Sequence, residues 1–360
     1  MGTHYYLSIQ YLRVFAFFAI FYAHLTVVSG IYSTFGVTIF FVISGFLSYC
    51  RAGGDQEFRN SFMYAWKHIK KLYWLFIIVL PFSIFSEIFV SRKWLISELP
   101  KSAIELLLKV ITNVTLVSSW LPKSYVFSEF NIVTWYLSIS VLLYLLTPTI
   151  LKVADKVKLR GMVIITLLSF SVCIAVFSFA ARCGYSKFEW LIYESPIMCL
   201  SEYLCGILVG MFIKGKIVCP VHKKKLIINW IVSCVLAFGI IIFTHFVAVT
   251  VWRNGIIWAI PSMFLVYSAV VTELSCERKR EANKGIMWLK NSLLYLGAVS
   301  GYMYLVSVPI INYTHAFLKR LELDQPYWAI ISTLLTITFA IIYDMRKKKR
   351  VGATFDSRPL

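Results

Sequence analysis

Residues 7–28 read LSIQYLRVFAFFAIFYAHLTVV, and a second apolar run, YSTFGVTIFFVISGFLSY, follows at 32–49. A helix of 22 residues is about 33 Å long, which matches a hydrocarbon core of about 30 Å. Strands of a membrane barrel would alternate in polarity over about ten residues, whereas these runs are continuous and longer. The two runs therefore predict a pair of membrane-spanning helices joined by a short turn.

The rest of the 360-residue chain has the same character, with 59% of its residues hydrophobic and 15% charged. Soluble domains are about 45–50% apolar and about 25% charged, so a soluble globular enzyme, a disordered chain and a coiled coil are excluded. The chain has 36 lysine and arginine residues against 17 acidic ones, a net charge of +19. In a membrane protein this excess indicates cytoplasmic loops that contact anionic membrane lipid, and we expect no nucleic-acid partner.

We predict an all-α fold, a polytopic helical membrane bundle of about ten transmembrane helices. One integral membrane domain covers 1–345, and a basic tail at 346–360 begins within the sequence MRKKKR and should contact lipid. The segment 104–121 is apolar but carries Lys109 and Asn113, so we predict that it lies at the interface or packs as a loop. The predicted spans are 7–28, 32–49, 72–90, 132–151, 162–180, 197–213, 226–248, 256–273, 292–311 and 327–343.

Lysine and arginine divide unequally between alternate loops. With the N-terminus in the cytoplasm, the cytoplasmic segments carry 25 of these residues and the opposite segments carry 10. Cytoplasmic loops of membrane proteins are enriched in lysine and arginine. The distribution therefore predicts that both termini are cytoplasmic, and it supports ten spans because an extra one at 104–121 would reverse every later loop.

Few ionisable residues lie within the predicted spans: Arg13, His24, Glu87, Glu202 and His245. A charge at mid-span costs about 2.5–3.5 kcal/mol on insertion scales, so such residues mark function by default. Arg13 and His24 lie on one face of a helix, about 16 Å apart along its axis. Glu87 and His245 are near span ends and can reach water. Arg13 also fits a snorkelling or helix-pairing residue, and His24 a hydrogen-bonded polar residue of the bundle.

The second span contains Gly36, Ser44 and Gly45, which favour close helix packing. The chain has no GxSxG, HExxH, P-loop or GxGxxG motif, so a hydrolase triad or a nucleotide-binding fold has no support. Its eight cysteines include no CxxC pair and no ligand cluster, and we predict no metal site.

Several stretches, taken in order, resemble one family. LRVFAFFAIFYAH (12–24), followed by GVTIFFVISGFL (36–47), is similar to the opening of the membrane acyltransferase family 3. The resemblance covers most of the chain, and IQYLR (9–13) looks most like the branch that acetylates O-antigen or exopolysaccharide. Similar to later spans of the family are VTWYLSISVLLYLLTP (133–148), SPIMCLSEYLCGILVG (195–210) and YLGAVSGYMYLVSVPII (295–311).

The resemblance implies an O-acetyltransferase of the bacterial inner (plasma) membrane, with 1–345 as its acyltransferase domain. It implies transfer of an acetyl or other acyl group from acetyl-CoA to a hydroxyl of a cell-surface glycan, such as the O-antigen of lipopolysaccharide or an exopolysaccharide. The expected partners are acetyl-CoA, a glycan or lipid-linked glycan acceptor, and membrane lipid, with no permanently bound cofactor.

The chain departs from the family pattern at three places. Ser140 stands where the family often has a glutamate, and Ser307 where it has a late histidine. In WKHIKK (66–71), Lys67 and Lys70 stand where the family has an arginine pair. Lysine binds phosphate as a point charge but lacks the bidentate fork of arginine.

The catalytic candidates are His24 and Arg13. The resemblance implies His24 as the general base, and imidazole titrates near neutral pH. Arg13 would steady donor phosphate or developing negative charge. Lys67, Lys70 and Lys71 are candidates for the CoA phosphates, or simply belong to a positive cytoplasmic loop. Substrate-side candidates, which also fit core or interface positions, are Trp135, Tyr136, Glu202 and Tyr304.

Two other function classes stay open at this stage. A transporter or flippase for a lipid-linked glycan would suit ten spans with Pro81, Pro148, Pro261 and Pro309 in or near them, although no matching pair of interrupted segments is present. A non-catalytic glycan- or lipid-binding membrane protein would need neither Arg13 nor His24. Incorporation of acetyl label into glycan separates the enzyme from both.

The orientation is testable with reporter fusions. Fusions after residue 255 and after residue 355 should give opposite topology signals, because the lysine and arginine distribution places the first outside and the second inside. The same signal from both fusions would contradict the ten-span orientation.

Overall fold

The computed structural model describes residues 6–26, 31–51, 60–86, 103–122, 124, 126–184, 188–214, 223–246, 255–275, 284–322 and 326–356. Within these residues the regular structure is helical and contains no strand, which confirms the predicted all-α class. The helices are α1 (Leu7–Leu25), α2 (Ile31–Arg51), α3 (Ser61–Phe85), α4 (Ala103–Val114), α5 (Thr134–Cys183), α6 (Glu189–Tyr193), α7 (Pro196–Lys214), α8 (Lys223–Phe246), α9 (Gly255–Ser275), α10 (Lys284–Arg320) and α11 (Tyr327–Asp356).

In the described part of the chain, nine helical segments are long and apolar enough to cross a membrane. Of these, α5 has 50 residues and would be about 75 Å long if straight, more than twice the hydrocarbon thickness. Lys158 interrupts it with φ 58° and ψ −172°, in the middle of a charged stretch. The helix therefore contains two of the ten predicted spans, and each of the other eight overlaps a separate helix within the described residues.

The segment predicted to pack without spanning forms the short helix α4. Its 12 residues cover about 18 Å, less than the hydrocarbon core. Lys109 and Asn113 are buried, and the amide of Asn113 donates to the carbonyl of Ser128 and accepts from the backbone N–H of Phe130. These hydrogen bonds hold residues 128–130, which lie between α4 and α5, against α4.

The helices α2 and α7 approach each other backbone to backbone. A Cβ added to Gly45 would overlap the carbonyl oxygen of Tyr203, and one added to Gly206 would overlap that of Val42. Small residues allow this approach in membranes, where dispersion between helices replaces the hydrophobic effect. The sequence prediction of close packing at Gly45 is confirmed, with α7 as the partner helix.

A buried chain of hydroxyl groups links three helices near the same place. The Tyr203 hydroxyl of α7 donates to Ser48 Oγ of α2 at 2.7 Å and lies 2.7 Å from Thr147 Oγ1 of α5. Each hydroxyl therefore has a partner inside the bundle, where an unpaired one would cost free energy. Around this centre, α1, α3, α9 and α10 complete the interior, while α8 and α11 are largely exposed.

The α2–α7 contact gives a stability prediction. Gly206→Leu should lower the melting midpoint of the purified protein clearly, because the new side chain collides with the Val42 backbone and overpacking costs about 1–3 kcal/mol. Gly239→Leu is the matched control, since a Cβ at Gly239 of α8 meets no atom within 4 Å. Thermal melting in detergent measures both, and equal midpoints for the two variants would contradict the packing account.

Candidate functional site

A cavity of about 380 Å³ lies among α1, α2, α3, the first half of α5 and α10. Along α2 it extends from Arg51 to Phe40, which corresponds to about 16 Å of helix rise. Arg51 and Lys71 are exposed, so the cavity opens to the surface at this end. We call the Arg51 end the mouth and the Phe40 end the inner end.

The cavity is lined by positive charge from three helices. Arg13 comes from α1, Arg51 is the last residue of α2, and Lys71 belongs to α3. No aspartate or glutamate is among the described residues that line it. A lining with this charge favours an anionic ligand, because cations in a low-dielectric wall raise the local concentration of anions.

Arg13 lies near the inner end, away from the mouth. The α1–α2 hairpin brings Tyr6 to Phe46 and Tyr22 to Tyr32, with ring centroids 5.1 Å and 6.2 Å apart. This antiparallel register places Arg13 level with about Phe40, which is eleven residues of helix from Arg51. The Arg13 guanidinium also lies 3.4 Å from Gln10 Oε1, so its own helix helps to hold it.

Three aromatic rings from three helices form the inner wall. The Tyr136 and Tyr304 centroids are 5.7 Å apart, and Phe40 lies 6.0 Å from Tyr136 and 6.3 Å from Tyr304. Ser44 Oγ is 3.4 Å from the Tyr136 hydroxyl. Ser44 therefore faces the cavity, a position that the sequence explained by helix packing alone. The inner end thus combines one guanidinium with apolar ring faces and hydroxyl groups.

An imidazole that the sequence analysis missed also lines the cavity. His68 Nδ1 lies 2.8 Å from the carbonyl oxygen of Tyr64, and the His68 ring packs between Tyr64 at 4.3 Å and Tyr144 at 5.2 Å. Because a carbonyl only accepts, this contact requires a proton on Nδ1. In the sequence, His68 stands among the lysines of WKHIKK, whose charge alone gives no signal for an imidazole site.

The cavity brings together Arg13, Lys71, Tyr136 and Tyr304 of the predicted site residues. Lys67 and Lys70 are exposed on α3 and do not line it. Trp135 is buried behind the wall against Phe41 and Tyr193. Arg51 and His68 join the predicted set; both come from the positively charged region after span two.

His24 lies outside the cavity lining, in the last turn of α1. Between Arg13 and His24 the same helix face carries Phe17, Ile20 and Phe21, all at most 2% exposed. The Phe17 and Phe21 rings stack with centroids 5.4 Å apart. Arg13 and His24 therefore lie on one face of α1, as their spacing predicts. The apolar side chains packed between them separate the cavity from His24 in this structure.

Glu202 is buried elsewhere, on α7 beside Thr38 and Gly255. Its Oε2 atom has no hydrogen-bond partner among the described residues. Glu87 lies outside the described residues, as does the side chain of His245. The role predicted for Glu202 on the acceptor side stays a prediction.

The two serines that replace family residues both bond to their own helices. Ser140 Oγ donates to the carbonyl of Tyr136 at 2.7 Å, and Ser307 Oγ donates to the carbonyl of Tyr304 at 2.8 Å. Both bonds end on the backbone of an inner-wall tyrosine. Each serine hydroxyl thus has a hydrogen-bond acceptor within its own helix.

A family model described as an acyltransferase domain matches residues 6–345. The chain belongs to the acyltransferase family 3. Neither a curated protein nor a solved structure matches it significantly. The matched range contains every residue that lines the cavity, so the cavity lies inside the acyltransferase domain of a multi-pass membrane protein.

Proposed function

We propose that this acyltransferase transfers an acetyl or similar acyl group from acyl-CoA to a hydroxyl of a cell-surface glycan, of the O-antigen or exopolysaccharide kind. Its place would be a bacterial inner membrane, with both termini cytoplasmic. The observation that carries the proposal is the cavity lined by Arg13, Arg51 and Lys71, with no carboxylate among the lining residues that the structure describes.

The charge distribution of the cavity suits the two ends of acyl-CoA. Its phosphates form a polyanion, which Arg51 and Lys71 at the mouth would attract and hold. The arm between the phosphates and the thioester is uncharged, and it would extend along the cavity toward Tyr136 and Tyr304. The mouth lies where α2 ends, on the side that the lysine and arginine distribution assigns to the cytoplasm, where acyl-CoA is made.

The chemistry needs a base and a stabilised oxyanion. In the proposed reaction His24 takes the proton of the glycan hydroxyl as its oxygen attacks the thioester carbonyl carbon. The carbonyl oxygen becomes an oxyanion, and the C–S bond then breaks to give the ester and the CoA thiolate, which recovers the proton. Arg13 lies on the cavity side of Phe17 and Phe21. Its role in the proposal is therefore to hold negative charge of the donor within the cavity, while the oxyanion forms on the His24 side.

The separation of His24 from the cavity supports an arrangement in which the two substrates approach from different ends of α1. The donor enters at the Arg51 level, and the glycan would approach from the opposite side of the membrane, where α1 ends. For the two to react, the thioester has to pass the layer formed by Phe17 and Phe21. Family membership favours this acyl transfer over the transporter that the sequence left open.

The donor site gives a kinetic prediction. Arg51→Gln and Lys71→Gln should each raise the Michaelis constant for acyl-CoA more than they lower turnover, because they remove ground-state binding. Lys67→Gln and Lys70→Gln should act more weakly, since these side chains do not line the cavity.

Lys224→Gln, an exposed lysine on the peripheral helix α8, is the charge-matched control. Radiolabelled acetyl transfer to glycan in membranes, at several donor concentrations, separates the two constants. Equal Michaelis constants for Lys71→Gln and Lys224→Gln would remove Lys71 from the donor site.

The two imidazoles can be told apart by substitution. His24→Ala should lower O-acylation by about 10²–10⁴-fold, the usual contribution of general acid–base catalysis, and His24→Gln should be equally poor. His68→Gln should keep most of the turnover, because an amide can replace the imidazole as a hydrogen-bonding group beside the donor. Acetyl content of the isolated glycan, measured by NMR at matched protein levels, reports both. The reverse pattern would assign the base to His68.

A further inference from the structure

The Tyr302 hydroxyl is a buried polar group for which the described residues provide no hydrogen-bond partner. Tyr302 is 2% exposed on α10, and its side chain lines the cavity. Among the described residues no hydrogen bond reaches its hydroxyl oxygen. A buried hydroxyl without a hydrogen bond destabilises the folded protein, so its position points to a partner that arrives with a ligand.

Two lysine ammonium groups lie against the same ring. Lys71 Nζ of α3 is 5.3 Å from the Tyr302 centroid, and Lys347 Nζ of α11 is 5.8 Å from it. Each distance is within the range of a cation–π contact, about 6 Å. The two ammonium groups are therefore at most about 11 Å apart, close to a Debye length, and they repel each other.

The packing of α11 directs Lys347 inward. Tyr343, one turn earlier, packs edge-on against Tyr302 with centroids 5.0 Å apart. Lys347 is only partly exposed, whereas its neighbour Lys348 is exposed and pairs with Asp344 at 2.8 Å. Asp344 and Lys70 also lie within electrostatic range of Lys347. The sequence placed this basic segment against lipid, but Lys347 faces the bundle.

The geometry points to a phosphate-binding subsite made by Lys71, Lys347 and the Tyr302 hydroxyl at the cavity wall. The two ammonium groups would hold phosphate oxygens by charge, and the hydroxyl would donate a hydrogen bond to one of them. In the proposed function this phosphate belongs to acyl-CoA, so the identity of the ligand rests on that proposal. The C-terminal helix α11 thereby becomes part of the donor site.

Inorganic pyrophosphate is a probe that tests the subsite without catalysis. Its affinity for the purified full-length protein in neutral detergent can be measured by calorimetry. Lys347→Gln, Lys71→Gln and Tyr302→Phe should each weaken binding by roughly tenfold, because each variant removes one hydrogen bond to a charged phosphate oxygen. Lys348→Gln is the matched control and should bind as the wild type does.

Tyr302→Phe separates binding from folding. It keeps the ring on which both lysines lie and removes only the unpartnered hydroxyl, so the melting midpoint should stay the same or rise. Weaker pyrophosphate binding at an unchanged midpoint supports the subsite. Wild-type binding by both Tyr302→Phe and Lys347→Gln would overturn it.

Competition distinguishes the subsite from the proposed reaction. If CoA displaces pyrophosphate from the wild type, the ligand is the donor. If pyrophosphate binds with the expected variant pattern but CoA does not displace it, the subsite stands and acyl-CoA fails as the donor. A third measurement uses nanodiscs that contain anionic lipid. If anionic lipid weakens pyrophosphate binding to the wild type but not to Lys347→Gln, the site binds a lipid headgroup, and the donor assignment is overturned.

Discussion

Positive charge held inside a membrane bundle decides where the helices can close together and where they cannot. Arg13, Arg51 and Lys71 surround one cavity that has no lining carboxylate among the described residues. Such charges are tolerable only where water or an anion reaches them, since an unpaired ion in low dielectric is costly. The cavity therefore opens at the end that carries Arg51 and Lys71. The surrounding helices have to stay apart at that end and pack against one another at other places. The glycine contacts between α2 and α7 and the hydroxyl chain around Tyr203 provide that closure.

The sequence predicted the features that depend on length and periodicity. The apolar runs were long enough to define ten spans, and the spacing of Arg13 and His24 placed them on one face of α1. Periodicity gives directions around one helix but says little about neighbouring helices. It could not indicate that Phe17 and Phe21 pack between the cavity and His24, because their burial depends on other helices. The same limit applies to Gly45, whose size predicted a close contact but not that Tyr203 provides it.

The charged loops were harder to interpret than the spans. Lys67, Lys70 and Lys71 look equivalent in the sequence, since a positive loop and a phosphate site have the same composition. Only the packing of α3 against α10 brings Lys71 to Tyr302 and leaves Lys67 and Lys70 outward. The role of Lys347 could not be predicted for the same reason. The five basic residues of MRKKKR together predict a lipid contact, and their composition does not distinguish one lysine from another. The edge-on contact of Tyr343 with Tyr302 sets the register that turns one of these five residues inward.

The distance between the charged mouth and His24 has a chemical consequence under the proposed reaction. A thioester exposed to water and to a general base together would be hydrolysed, and transfer to a sugar requires that water be excluded from the base until the acceptor is present. The stacked Phe17 and Phe21 lie between the open cavity and His24, and both are almost fully buried. Water that enters with the donor phosphates therefore meets an apolar layer before it meets the base. Arg13 lies on the cavity side of this layer. In the proposed reaction, the thioester end of the donor therefore moves beyond Arg13, the innermost cation of the cavity, before it reaches His24.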